Sequence, residues 1–271
     1  MNEQGRIALR AYYAAFLAAV FLDLFDRIRS LHQTGWHWLW PVTWLAFFDR
    51  PDLVISAAFY LLVAALVAAI SFPYHRLLKI VIFLNLFFLL AAVYSRGKID
   101  HNLYGFLFTS FFMAWIQKPV SPELWAKNIF FYRTAQLNFL FLYFLAGFWK
   151  LRVLVTSLLQ GYELKSLAET LGYEIAVKAM EGQAPTPLGL SLMNSPLLLQ
   201  GLLWLLIVCI ELFGVCLICR PRLLPWYGVS LILFHIGTQL TMNIAFPEAQ
   251  LLAAVLLIGW PLKDSVVRLE S

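Results

Sequence analysis

The chain has 271 residues, 62% of them apolar and only 13% charged, with a mean hydropathy of +0.77; a soluble domain carries about 45–50% apolar and about 25% charged residues. That much hydrocarbon exceeds what a folded protein of this size can keep from water, which excludes a cytosolic enzyme, a disulfide-stapled secreted module and a disordered tail. Twenty Lys and Arg stand against 15 Asp and Glu, a net charge of +5; in a membrane chain such an excess reads as topology signal and affinity for anionic lipid, not as nucleic-acid binding.

A bilayer span takes roughly 20 predominantly apolar residues. Eight stretches are predicted as spans: 8–25, 53–72, 77–94, 103–116 (short), 135–149, 196–219, 223–243 and 248–262. The expected fold is therefore all-α, a polytopic bundle of about eight spans with interfacial amphipathic helices, forming a single transmembrane domain over 1–271. Arg6 and Arg10 precede the first apolar run as in a signal peptide, but the run ends in Asp23, Phe25, Asp26 and Arg27 with no small-residue cleavage site. It reads as an uncleaved span, with Asp23 and Arg27 paired at i,i+4.

Two connections are long. The first, 27–52, carries Trp36, Trp38, Trp40 and Trp44 within nine residues, a pattern suited to the membrane interface. The second, 152–195, has ordinary soluble character. Leu164, Leu167, Leu171, Ile175 and Ala179 recur at helical spacing over 162–180, and Pro185 and Pro187 then break the pattern. An amphipathic helix lying on the membrane or over a cavity is expected there. With eight spans both termini share a side, which carries eleven of the 20 cations, Lys79 among them, against nine on the other. The bias places the termini in the cytoplasm.

Ionisable groups inside spans are functional candidates by default. His101 opens the fourth span, Lys150 closes the fifth and Glu211 lies deep in the sixth. His235 lies within the seventh, with Gln239 and Asn243 at i+4 and i+8 on the same face. His101, Lys150 and Asn243 fall on the side opposite the termini. A cavity open to that side and laterally to lipid is the economical reading, lined by these groups with Tyr104 and Trp149 beside them. Each group has a structural alternative. Lys150 can snorkel to the interface, His101 can be an idle loop residue, His235 can serve an interhelical hydrogen bond, and Glu211 can pair with His235 or an arginine. Cys216 and Cys219 have C-x-x-C spacing in the sixth span, but an apolar helix there points to buried, inert thiols, with Cys209 a third. The five histidines are scattered and form no metal set. Neither a phosphate-binding G-x-G-x-x-G nor a serine nucleophile elbow occurs.

Several segments together resemble one family. Tyr143-Phe144-Leu145-Ala146-Gly147-Phe148-Trp149-Lys150-Leu151, followed by Gln160-Gly161-Tyr162, is similar to the Y-F-x-A-G-x-x-K-L…x-G-Y stretch of vitamin K-dependent gamma-glutamyl carboxylases. It is similar also to their bacterial relatives, the horizontally transferred transmembrane (HTTM) domain family. Phe234-His235 through Gln239, Asn243 and Phe246-Pro247 resembles the family's F-H…N…F-P span. His101-Asn102-Leu103-Tyr104-Gly105 resembles its histidine segment, with the spacing to Tyr-Gly one residue shorter. The resemblance implies a bacterial inner-membrane protein and a reduced, vitamin K-like quinone as cofactor. It implies Lys150 as the base that deprotonates the quinol and His101 as its catalytic partner, with a quinol or a peptide as substrate. An amine held away from water gives up its proton more readily and can act as a base. The carboxylases carry a large extra-membrane region that grips the substrate propeptide; this chain runs only to Ser271, so carboxylation of peptide glutamate is not implied. Two other readings compete. One is a non-catalytic scaffold serving binding, transport or immunity. The other is a thiol–quinone redox protein using Cys216 and Cys219.

Overall fold

The computed structural model describes residues 3–29, 41–95, 103–159, 175–176 and 186–259. Among them no strand occurs, and the elements are helices joined by short turns. Six of these helices are long and apolar enough to cross a bilayer: Gly5–Leu24, Pro51–Ser71, Arg76–Tyr94, Pro122–Thr156, Leu197–Cys219 and Pro221–Met242. The chain is an all-α, multi-pass membrane protein. The expected fourth and eighth spans are shorter apolar helices, Tyr104–Met113 and Pro247–Ile258. Ten residues cover about 15 Å, half of the roughly 30 Å hydrocarbon core.

The helices used below are α1 (Glu3–Ala19), α2 (Pro51–Ser71), α3 (Arg76–Tyr94), α4 (Tyr104–Met113), α5 (Pro122–Leu159), α6 (Pro187–Met193), α7 (Leu197–Phe213), α8 (Leu224–Met242) and α9 (Pro247–Ala253). Their starts follow from local chemistry. Pro51 and Asp52 open α2: the proline lacks only an N–H that would go unpaired anyway, and the acid suits the positive helix end. The Thr186 hydroxyl accepts the Gly189 N–H and caps α6. The 38 residues of α5 would extend about 57 Å, far more than the hydrocarbon needs. Its first turns carry Glu123, Lys127 and Arg133, and the stretch without charged residues begins only beyond them, where the fifth span is expected.

The chain divides into two compact units, residues 1–139 with 247–271, and residues 140–246. In the first, α1 packs on α2 and α9, α2 on α3, and α3 on α4. Phe16 stacks on Phe106 with ring centroids 4.6 Å apart, and the Tyr12 hydroxyl lies 2.8 Å from the Thr109 hydroxyl. After α9 the helix widens into a π-turn over Ala254–Ile258. Tyr132 and Gln136 donate to the Leu256 carbonyl there, at 2.9 and 2.6 Å, supplying partners in a region whose regular ladder is disturbed. Asp23 and Arg27 form their expected pair at 2.7 Å. Lys79 is fully buried. Its ammonium donates to the carbonyls of Met113 (3.1 Å) and Ile116, closing the C-terminal end of α4.

In the second unit, Thr186 also donates to the Leu240 carbonyl at 2.5 Å, tying the start of α6 to α8. Tyr227 on α8 donates to the Ile210 carbonyl on α7 at 2.7 Å. Trp204, Val208 and Ile175 form a buried cluster. Ile175 belongs to the expected amphipathic helix, most of which lies outside the described residues, as do Trp36, Trp38 and Trp40. Trp44 stacks on Phe88. The cysteine expectation needs correction: Cys216 and Cys219 are exposed, not buried. The α-helix ends at Phe213 and tightens to a 3-10 helix over Gly214–Cys219, so the pattern of burial along α7 does not carry through to them.

Candidate functional site

The site lies within the second unit, on one face of the later part of α5. Tyr143 and Lys150 are seven residues apart, two helical turns, and so project to the same side. Each meets a polar group of another helix. Lys150 Nζ donates to both carboxylate oxygens of Glu211, at 2.5 and 2.6 Å. The Tyr143 hydroxyl lies 2.6 Å from Nε2 of His235.

The lysine–glutamate clasp depends on close helix packing. Gly147 sits one turn before Lys150, where α5 meets α7. A Cβ there would stand 2.8 Å from the Glu211 Cβ and 3.0 Å from the Leu212 backbone nitrogen. Small residues at such crossings let membrane helices approach each other closely. The approach places the Glu211 carboxylate within reach of an amine on the same helix as the glycine. Burial is uneven: the Glu211 side chain is 5% exposed and that of Lys150 36%. The amine is therefore the accessible half of the pair, and the carboxylate depends on it. Beside it, the Arg152 guanidinium lies over the exposed Trp149 ring, 4.9 Å from its centroid.

His235 is 6% exposed. It sits among aromatic rings: Phe234, Phe246 and Tyr143 have centroids 5.0, 5.1 and 5.8 Å from its own. Its Nδ1 is buried and meets no hydrogen-bond partner among the described residues. Gln239 and Asn243 share its helix but not its burial, and both are exposed. Asn243 leaves the helical path altogether. Its φ of 56° is left-handed, and its N–H bonds the Gln239 carbonyl at 3.0 Å, so it serves as the C-cap of α8. The continuous i, i+4, i+8 face expected from the spacing stops at Met242.

The other expected site residues fall elsewhere. His101 lies outside the described residues. Tyr104 belongs to the first unit and packs edge-on against Tyr94. Glu211 pairs with Lys150 and not with His235 or an arginine, which corrects the expected partner. Tyr143 and Gly147 were quoted only as parts of the motif; their spacing from Lys150 by seven and three residues is the signal that places all three near one face. Lys79 was counted only as a topology charge. Among the described residues no group of three or more His, Cys, Asp or Glu side chains is placed to hold a metal ion. No family model, no curated protein and no solved structure matches the chain.

Proposed function

We propose that the chain is a membrane-embedded enzyme that takes a proton from a lipid-soluble reduced quinone, with Lys150 as the base. The observation that carries this reading is the Lys150–Glu211 clasp in an otherwise apolar helix contact. A charged amine and a charged carboxylate together carry no net charge, and the proton can rest on either partner without leaving an isolated ion in hydrocarbon. Lys150 is the half open to an incoming hydroxyl. Passing its own proton to Glu211 would free the amine to accept another. A reduced quinone would supply two phenolic O–H groups and, once deprotonated, reducing equivalents. The residues present fit such a group: a polar pair with one accessible amine stands beside the exposed apolar faces of Phe148 and Trp149 on the same helix. The similarity of 143–151 to the carboxylase motif supports the same role. His101 would be the second proton-handling group, and the charge bias favours termini in the cytoplasm of a bacterial inner membrane.

The test is purification in mild detergent, solvent extraction, and detection of any bound quinone by mass spectrometry, followed by quinol oxidation under O₂. Wild type is expected to retain a quinone and to turn over added quinol. Lys150→Met, at equal yield, is expected to lose turnover. A wild type that neither retains nor oxidises quinol sinks the enzyme reading. A second reading rests on Gly147: the clasp lies one turn from a close α5–α7 approach, where it would lock a non-catalytic scaffold. In that case an exchange of the two charges, Lys150→Glu with Glu211→Lys, would leave the phenotype intact.

A further inference from the structure

Cys216 and Cys219 have no part in the reading above. They lie in the 3-10 stretch Gly214–Cys219 that closes the span after α7. Both are free thiols and both are exposed, whereas Cys209 on α7 is partly buried. A 3-10 helix turns once in three residues and rises about 2.0 Å per residue, so side chains at i and i+3 eclipse. Their Cβ atoms therefore project in parallel, about 6 Å apart. A disulfide requires Cβ atoms about 3.5–4.5 Å apart, closer than this turn holds them. A cation bonded to two sulfurs at about 2.3 Å each separates them by up to about 4.6 Å. From parallel Cβ atoms about 6 Å apart, each sulfur reaches that separation by leaning inward by less than about 1 Å. The geometry therefore favours a bridging cation over a sulfur–sulfur bond.

The donor chemistry narrows the cation. Thiolates are soft ligands and select soft ions such as Cu(I). Structural zinc takes four ligands, and among the described residues no third His, Cys, Asp or Glu completes a set. The turn runs directly into Arg220-Pro221-Arg222, both arginines are exposed, and Trp226 follows, also exposed. Arginine and tryptophan together mark the membrane–water border, where an ion can arrive from solution. A monovalent cation held by two thiolates carries one negative charge, which the flanking arginines offset.

We infer that Cys216 and Cys219 form a two-thiolate binding site for a soft monovalent cation of the Cu(I) class at the membrane border. Binding one ion releases two protons, one from each sulfur, and transfers no electrons. The site uses neither Lys150 nor Glu211, and its success or failure leaves the quinol reading untouched.

The experiment titrates Cu(I) into the purified full chain under anaerobic conditions in competition with the coloured chelator bicinchoninate. Wild type and Cys209→Ser are each expected to withdraw one equivalent. Cys216→Ser and Cys219→Ser are each expected to withdraw none. As a second readout, Cu(I) should protect residues 216 and 219, but not 209, from maleimide as mapped by mass spectrometry. This holds in the wild-type protein and needs no variant to fold. A wild type that withdraws no copper, equal losses in Cys209→Ser, or uniform labelling of all three thiols with copper present would overturn the assignment.

Discussion

Lys79 and Lys150 each reach a partner on another helix, and the two units of the protein satisfy them differently. Lys79, in the first unit, is 0% exposed and gives its donors to the Met113 and Ile116 carbonyls at the end of α4. Both carbonyls lie at or just past the C-terminal end of the helix, the pole where a cation is favoured, and the Met113 carbonyl also accepts the Ile116 N–H at 3.2 Å. Lys150, in the second unit, is partly exposed and gives its donors to a carboxylate that is nearly buried. The first arrangement sets one amine among backbone carbonyls. The second pairs an amine with a carboxylate on another helix. The two lysines thus differ in the kind of acceptor they meet as well as in burial.

Substitutions at the two lysines should behave differently, and the largest effect is expected at Lys150. Lys150→Met leaves the Glu211 carboxylate buried and uncompensated, which should cost about 3–5 kcal/mol, read as a lowered melting temperature in detergent. Glu211→Leu should cost much less, because the partly exposed amine can extend to the interface. Equal losses in the two variants would show that the carboxylate is not the dependent partner. Next in size, Gly147→Ala drives a methyl into the Glu211 Cβ and the Leu212 backbone, with an expected cost of about 1–3 kcal/mol. Wild-type stability there would mean α5 and α7 do not touch at this point.

Lys79→Met should remove the side-chain donor to the Met113 and Ile116 carbonyls, for about 1–3 kcal/mol. No carboxylate substitution should repair it, since its partners are backbone. The smallest effect is expected for Tyr143→Phe, which removes one hydrogen bond to His235 and should cost about 1 kcal/mol. A change in the histidine's ring nitrogen chemical shifts, with little change in melting temperature, is the matching readout.

The sequence made much of this legible and hid the rest for identifiable reasons. Span composition reads directly, because lipid imposes apolar length on a helix whatever it packs against. Lys150 is legible because an ionisable side chain in an apolar segment is a candidate by default. Its partner is not. Glu211 has the right residue type, but periodicity gives the faces of a helix without saying which faces meet. Here Gly147 decided it. Lys79 was hidden for the opposite reason: it follows Arg76 by three residues and looks like one more border charge, and only the end of α4 arriving beside it makes it buried. Asn243 left its expected face because a left-handed cap residue ends the helical period. Cys216 and Cys219 read as buried while the helix was assumed α throughout; the tightening after Phe213 changed their surroundings.

A double-mutant cycle on unfolding in detergent, with Lys150→Met, Glu211→Leu and the two combined, isolates the clasp from everything around it. If a paired charge holds α5 to α7, the combined variant will be more stable than Lys150→Met alone, because removing the carboxylate relieves the buried ion that the first change strands. If the two losses simply add, the amine and the carboxylate are not partners, and neither the clasp nor the proton chemistry built on it stands.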